Sequence, residues 1–129
     1  MWPNNTFNKR PFVGQRDEMS LLDIYRDVIV KSLVETMNPS RIFIFGSCAR
    51  HEEAASSDID IAVITRPGQV ATRLDIAKAR SQLREALAGD GPAVDLIAIH
   101  PEMFDLTRRN VASVWHSVDR EGIVIYDAL

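Results

Sequence analysis

The sequence is nearly free of cysteine. Cys48 is the one cysteine among 129 residues, so an internal disulfide framework and a cysteine-based zinc site are both excluded. A single thiol is typical of proteins that work in a reducing compartment, and we therefore expect a cytoplasmic protein.

Long apolar runs and a strong excess of one charge are also missing. No run approaches the roughly 18 apolar residues of a membrane helix, so no membrane association is expected. The opening residues, MWPNNTFNKRPF, lack the apolar core of a signal peptide. The formal net charge is −3 and the basic residues are scattered, so we expect no direct nucleic-acid binding.

The composition is that of one ordinary globular domain. Hydrophobic residues make up 46% of the chain and charged residues 26%, which is enough apolar material for a packed core. Residues 1–16, with two Pro and three Asn, predict an irregular N-terminal arm. Residues 17–129 are predicted to form a single folded domain.

Strand and helix patterns alternate along this domain and indicate an α/β fold. Short apolar or β-branched runs predict strands at 41–45, 59–64, 93–99 and 123–126. The predicted helices, with the apolar positions expected in the core, are 17–37 (Leu22, Tyr25, Ile29, Leu33), 48–55, 70–87 (Val70, Leu74, Ala77, Leu83, Leu87), a short one before Arg109, and one capped by Asn110 (Val111, Val114, Trp115, Val118).

A strand followed by Gly46-Ser47 and a predicted helix could bind phosphate. Free backbone N–H groups and the positive end of the helix dipole meet at such a junction, and Arg50 lies one turn further on. Taken alone, a Gly-Ser pair at a helix start is more often a simple turn and cap.

Asp58 and Asp60 form a second candidate site. Residues two apart in a strand face the same side, so both carboxylates are expected side by side. Their mutual repulsion is relieved by a divalent cation, and Mg²⁺ prefers a few carboxylates together with water and phosphate oxygens. Taken alone, the pair also fits the solvated start of a strand.

Asp95 lies within the apolar strand run AVDLIAI. If this strand neighbours that of Asp60, Asp95 completes a site of three carboxylates, because a lone carboxylate in such a strand is otherwise costly to bury. The alternative is an exposed position on an edge strand.

Together these motifs resemble the polymerase-beta-like nucleotidyltransferase superfamily. Its signature is Gly-Ser, ten residues and Asp-x-Asp, as found here from Gly46 to Asp60. The run IFGSCARHEEAASSDIDIAVI is similar to the minimal nucleotidyltransferase branch, VDLIAI to the strand of the third carboxylate, and HSVDREGIVIYD to the end of these domains. His51 departs from the pattern, since many members have Gly there. The resemblance implies a small mixed β-sheet with helices packed on it.

The resemblance also implies roles for the site residues. Asp58, Asp60 and Asp95 would be catalytic and would bind two Mg²⁺ ions, while Gly46, Ser47 and Arg50 would bind the nucleotide phosphates of ATP.

In the minimal branch the partner is a HEPN-domain toxin, and AMP is transferred to one of its tyrosines by the nucleotidyltransferase acting as antitoxin. Two alternatives stay open: a subunit that neutralises its partner by contact alone, and a small-molecule adenylyltransferase acting as a homo-oligomer.

Overall fold

The computed structural model describes residues 21–46, 49, 58–88 and 91–128. Within them, four strands form one sheet: β1 (Arg41–Phe45), β2 (Ile59–Ile64), β3 (Val94–Ile99) and β4 (Ile123–Asp127). The strand order is β3-β2-β1-β4. β2 is antiparallel to β1 and parallel to β3, and β1 is antiparallel to β4. The predicted mixed sheet is therefore confirmed.

Four helices accompany the sheet in the described residues: α1 (Leu21–Met37), α2 (Arg73–Ala86), α3 (Pro101–Thr107) and α4 (Val114–Glu121). Helix α1 ends where the sequence predicts, because Asn38 takes a left-handed φ of 47° and Pro39 follows. No helix of the described part of the chain has both the length and the apolar character needed to span a membrane.

Side-chain alternation in the strands divides the core into two layers. On one face of the sheet, Ile59, Ile61 and Val63 of β2 pack with Ile29 and Leu33 of α1, together with the buried side of α2. The alternate residues of each strand point to the opposite face, which α3 and α4 partly cover. The residues of this second cluster are Phe43, Ala62, Ile64, Phe104, Trp115 and Val118.

The predicted apolar stripe of the helix after β2 is partly wrong. Val70 and Leu74 are 69% and 62% exposed, and Ala77 is also exposed, although Leu83 and Leu87 are buried as expected. The cause lies at Thr72, whose side chain and that of Asp75 form a capping box that starts the helix only at residue 73. The buried stripe then follows 76, 79, 83 and 87.

The predicted start of the last helix is also corrected. Ser113, not Asn110, is its N-cap, and the Ser113 hydroxyl accepts the Trp115 N–H at 3.0 Å. The Asn110 side chain instead accepts the Ala112 N–H in the preceding turn. Consequently Val111 and Val114 are exposed, while Trp115 and Val118 are buried as predicted.

Candidate functional site

Asp60 and Asp95 lie next to each other in the sheet. They are direct register partners across the parallel pair of β2 and β3. The residue before each aspartate, Ile59 in β2 and Val94 in β3, points into the core under α1 and α2. Because side chains alternate along a strand, both aspartates project from the opposite face. Paired Cα atoms of adjacent strands are about 4.8 Å apart, which allows the two carboxylates to approach one common point.

Asp58 joins this end of the sheet from the chain entering β2. It precedes β2 directly, and the next residue donates its N–H to the carbonyl oxygen of Ala93 at 2.9 Å. This bond holds the starts of β2 and β3 together. Asp58 and Asp95 are exposed and Asp60 is half-buried, so the three carboxylates are at an open end of the sheet.

The sequence pointed to Asp95 because a lone carboxylate is costly to bury, but the structure shows its side chain exposed. β3 is an edge strand, so the Asp95 side chain needs no partner to offset burial, and the edge-strand alternative describes its surroundings correctly. What connects Asp95 with Asp60 is their register, which the sequence could suggest only on the condition that the two strands are neighbours.

Phe45 belongs to the same row of side chains and was missed by the sequence analysis. It is the register partner of Asp60 on β1 and is half-buried. The row across the sheet is therefore Phe45, Asp60, Asp95. The alternation in Arg41-Ile-Phe-Ile-Phe45, read with the pairing of β1 and β2, is the signal that identifies it.

Beyond the carboxylate row this sheet face is largely apolar, and α3 and α4 cover part of it. Phe43 and Ala62 continue the face beyond the carboxylate row, and both are buried under α3 and α4. The Phe104 ring lies 6.1 Å from Phe43 and 6.0 Å from Trp115, the second pair in an edge-to-face arrangement. One face of the sheet thus has a packed end and an open, acidic end.

Gly46 follows β1 at the acidic end. Its φ is +73°, a left-handed conformation that favours glycine. A Cβ at this position would collide with Oδ2 of Asp60 and would lie 3.2 Å from its Cγ. The Asp60 carboxylate therefore lies against the bare Cα of Gly46. Ser47 and Arg50, the other predicted phosphate ligands, and the predicted helix 48–55 apart from residue 49 are outside the described residues.

The residues present fit a magnesium site by their chemistry. Asp58, Asp60 and Asp95 offer only carboxylate oxygens, the donors that Mg²⁺ prefers. Among the residues that the structure describes, no three His, Cys, Asp or Glu side chains are already gathered at metal-binding distance. The carboxylates of Asp58 and Asp95 are exposed, so their oxygens are accessible to a cation from solvent.

A cleft of about 230 Å³ lies elsewhere, between the end of α1 and the start of α2. Met37, Thr65 and Asp75 are among its lining residues. Thr65 follows the end of β2 whereas Asp60 lies at its start, so the cleft is at the opposite end of the sheet. The carboxylate end has the reactive groups, and we take it as the candidate site.

Comparison with known proteins relates this arrangement to a family. A family model described as polymerase beta, nucleotidyltransferase matches residues 27–128. MJ0435 of Methanocaldococcus jannaschii, whose name proposes protein adenylyltransferase activity, is 33% identical over 87 residues, which are 67% of this chain and 89% of that protein.

Two solved structures share the fold. A toxin–antitoxin structure with AMP-PNP aligns at a TM-score of 0.60 and 23% identity, over 79% of this chain and 73% of the other. A complex of tri-AMPylated Shewanella oneidensis HEPN toxin with MNT antitoxin aligns at 0.55 and 22% identity, over 81% and 71%.

Proposed function

The chain belongs to the polymerase beta nucleotidyltransferase family, and we propose that it transfers AMP from ATP to a hydroxyl group of a partner protein. The observation that carries this proposal is the register pairing of Asp60 with Asp95, next to Asp58, at the open end of the sheet. A nucleotidyltransferase needs carboxylates that can hold cations beside the triphosphate, and this end of the sheet carries three.

In this proposal Asp58, Asp60 and Asp95 hold two Mg²⁺ ions. Bound there, the ions would neutralise phosphate charge and stabilise the attacking and leaving oxygens of an in-line displacement at phosphorus. Gly46, Ser47 and Arg50 bind the β- and γ-phosphates, and Asp95 orients the acceptor hydroxyl by accepting its hydrogen bond. The α-phosphorus would gain a bond to the acceptor oxygen, whose proton passes to Asp95, as its bond to the bridging oxygen breaks and pyrophosphate leaves.

ATP is the proposed donor. The name of MJ0435 refers to adenylyl transfer, and the two structural relatives are described with AMP-PNP and with an AMPylated toxin. The three descriptions agree on adenine nucleotides, and the first comes from a protein whose sequence aligns over two thirds of this chain.

The proposed acceptor is a tyrosine of a HEPN-domain partner, and the chain would act as the antitoxin of that pair. The HEPN toxin complex provides the precedent for this kind of partner. Within the present chain, half-buried Phe45 lies beside Asp60 and offers an apolar surface against which an aromatic ring can pack. The exposure of Asp58 and Asp95 leaves this end accessible to a second protein.

The test uses the HEPN protein that we expect the neighbouring gene to encode: the chain is incubated with it, ATP and Mg²⁺, followed by intact-mass measurement and peptide mapping. We expect adenylate on a tyrosine of the partner, none after addition of chelator, and none on the partner with that tyrosine changed to Phe.

Other outcomes would favour the alternatives. Loss of the partner's toxicity without any adduct would indicate neutralisation by contact. Adenylate on a small hydroxyl compound in the absence of any partner would indicate a small-molecule adenylyltransferase.

A further inference from the structure

Gly46 has two separate reasons to be glycine. Its φ of +73° strains any residue that carries a Cβ, and the position of that Cβ is already taken by the Asp60 carboxylate. Only the second reason involves the proposed metal site. The family resemblance implies that Gly46 binds phosphate, and the atom nearest to a Cβ built on Gly46 is an oxygen of Asp60.

The obstruction would affect the carboxyl group rather than the strand. The Cβ of Asp60 would lie 3.5 Å from a Cβ on residue 46, an ordinary contact, while Oδ2 would overlap with it. Since the carboxyl group turns about two single bonds, a side chain at residue 46 would move the carboxylate and leave β2 in place.

We propose that Gly46 is a positioning residue for Asp60: its bare Cα leaves the space that keeps the Asp60 carboxylate at the cation site. The catalytic consequence rests on the proposed function, but the effect on cation binding does not. Displacing one carboxylate removes a ligand from a site built of few, and changes around metal ligands commonly weaken binding by about 10- to 100-fold.

Gly68 provides a matched control within the same chain. It has a left-handed φ of +84°, but nothing lies within 4 Å of a Cβ placed on it. Gly68→Ala therefore introduces backbone strain without obstruction. Gly46→Asn introduces the obstruction with less backbone strain, because Asn tolerates left-handed φ values yet still carries a Cβ.

The experiment measures Mn²⁺ affinity by electron paramagnetic resonance, with Mn²⁺ as the probe since it shares the oxygen-ligand preference of Mg²⁺. We expect Gly46→Ala and Gly46→Asn to bind Mn²⁺ about tenfold or more weakly than wild type. Gly68→Ala should bind Mn²⁺ like wild type. Thermal melts should show that both alanine variants are folded, so that a difference in Mn²⁺ affinity between them reports on the site.

A double-mutant cycle makes the test specific for Asp60. In an Asp60→Ala background the carboxylate is already gone, so adding Gly46→Ala should not weaken Mn²⁺ binding further. A further loss there, wild-type affinity in Gly46→Ala, equal loss in Gly68→Ala, or no Mn²⁺ binding by the wild type would each overturn the inference. Mn²⁺ binding that follows this pattern without any nucleotide transfer would overturn the proposed function alone.

Discussion

Asp60 of β2 and Asp95 of β3 are register partners on the open end of one sheet face. Because they are register partners in neighbouring strands, the two side chains leave the sheet on the same face and are separated by a single strand spacing. Two carboxylates at this distance repel each other, and a shared divalent cation turns that repulsion into a binding site. The two residues are therefore expected to act as one unit.

The first prediction concerns this unit. The Mg²⁺-dependent part of AMP-PNP affinity, measured by calorimetry with and without chelator, should fall about tenfold or more in Asp60→Asn and in Asp95→Asn. The double variant should lose little more affinity than the single variant with the larger loss, because the effects of residues that act together are not additive. Asp105→Asn, on α3, is the matched control and should behave as wild type. Additive losses would show that the two carboxylates work independently.

The second prediction concerns the left-handed residue that ends α2. Ala88 has a φ of +69°, where a Cβ is unfavourable. Ala88→Gly should raise the free energy of unfolding by about 0.5–1 kcal/mol in urea titrations. Ala86→Gly, the same substitution inside α2, should lower it by about 0.5–1 kcal/mol. A lower stability for Ala88→Gly would contradict the expected relief of strain.

The third prediction concerns the packed end of the site face. Phe104 is 3% exposed and contacts the rings of Phe43 and Trp115, so Phe104→Ala should cost about 3–5 kcal/mol of unfolding free energy. Leu106→Ala, on the same helix but 71% exposed, should change it by less than about 0.5 kcal/mol. Similar losses in the two variants would mean that α3 packs by a different side.

The fourth prediction is a pH dependence at the start of α2. The backbone N–H of Thr72 donates to Asp75 at 2.9 Å, and this hydrogen bond, followed by that with the Thr72 side chain, lowers the pKa of Asp75. A lowered pKa gives stability that is present above the unfolded value, about 3.9, and is lost as the pH falls through the folded value.

Asp75→Asn should therefore be less stable than wild type at neutral pH, and the difference should shrink in acid. Urea midpoints of both proteins, measured from about pH 6 to about pH 2, provide the comparison. A difference that stays constant across this range would show that the charge of Asp75 contributes nothing to the cap.

Much of the fold follows from local pattern. Short apolar and β-branched runs predicted all four strands, and the break at Asn38-Pro39 predicted the end of α1, since these signals depend on neighbouring residues only. The errors at Val70 and Leu74 come from the unrecognised capping box of Thr72 and Asp75, a signal that was present in the sequence.

Prediction of the site required the tertiary structure more than prediction of the strands did. Alternation placed Asp58 and Asp60 together, but the pairing of Asp60 with Asp95 requires β2 and β3 to be neighbours in one register. The proximity of Gly46 and Asp60 is likewise a relation across the sheet. No local pattern carries either relation, because both arise only when distant segments pack together.

The central claim is that the aspartates at the open end of the sheet catalyse nucleotide transfer. Its most direct test is the initial rate of label transfer from α-labelled ATP to the proposed HEPN partner, for wild type and for Asp58→Asn, Asp60→Asn and Asp95→Asn. Each substitution keeps the side-chain volume and removes the charge, so each should lower the rate by about 10²-fold or more. Transfer at the wild-type rate by all three variants would contradict the account.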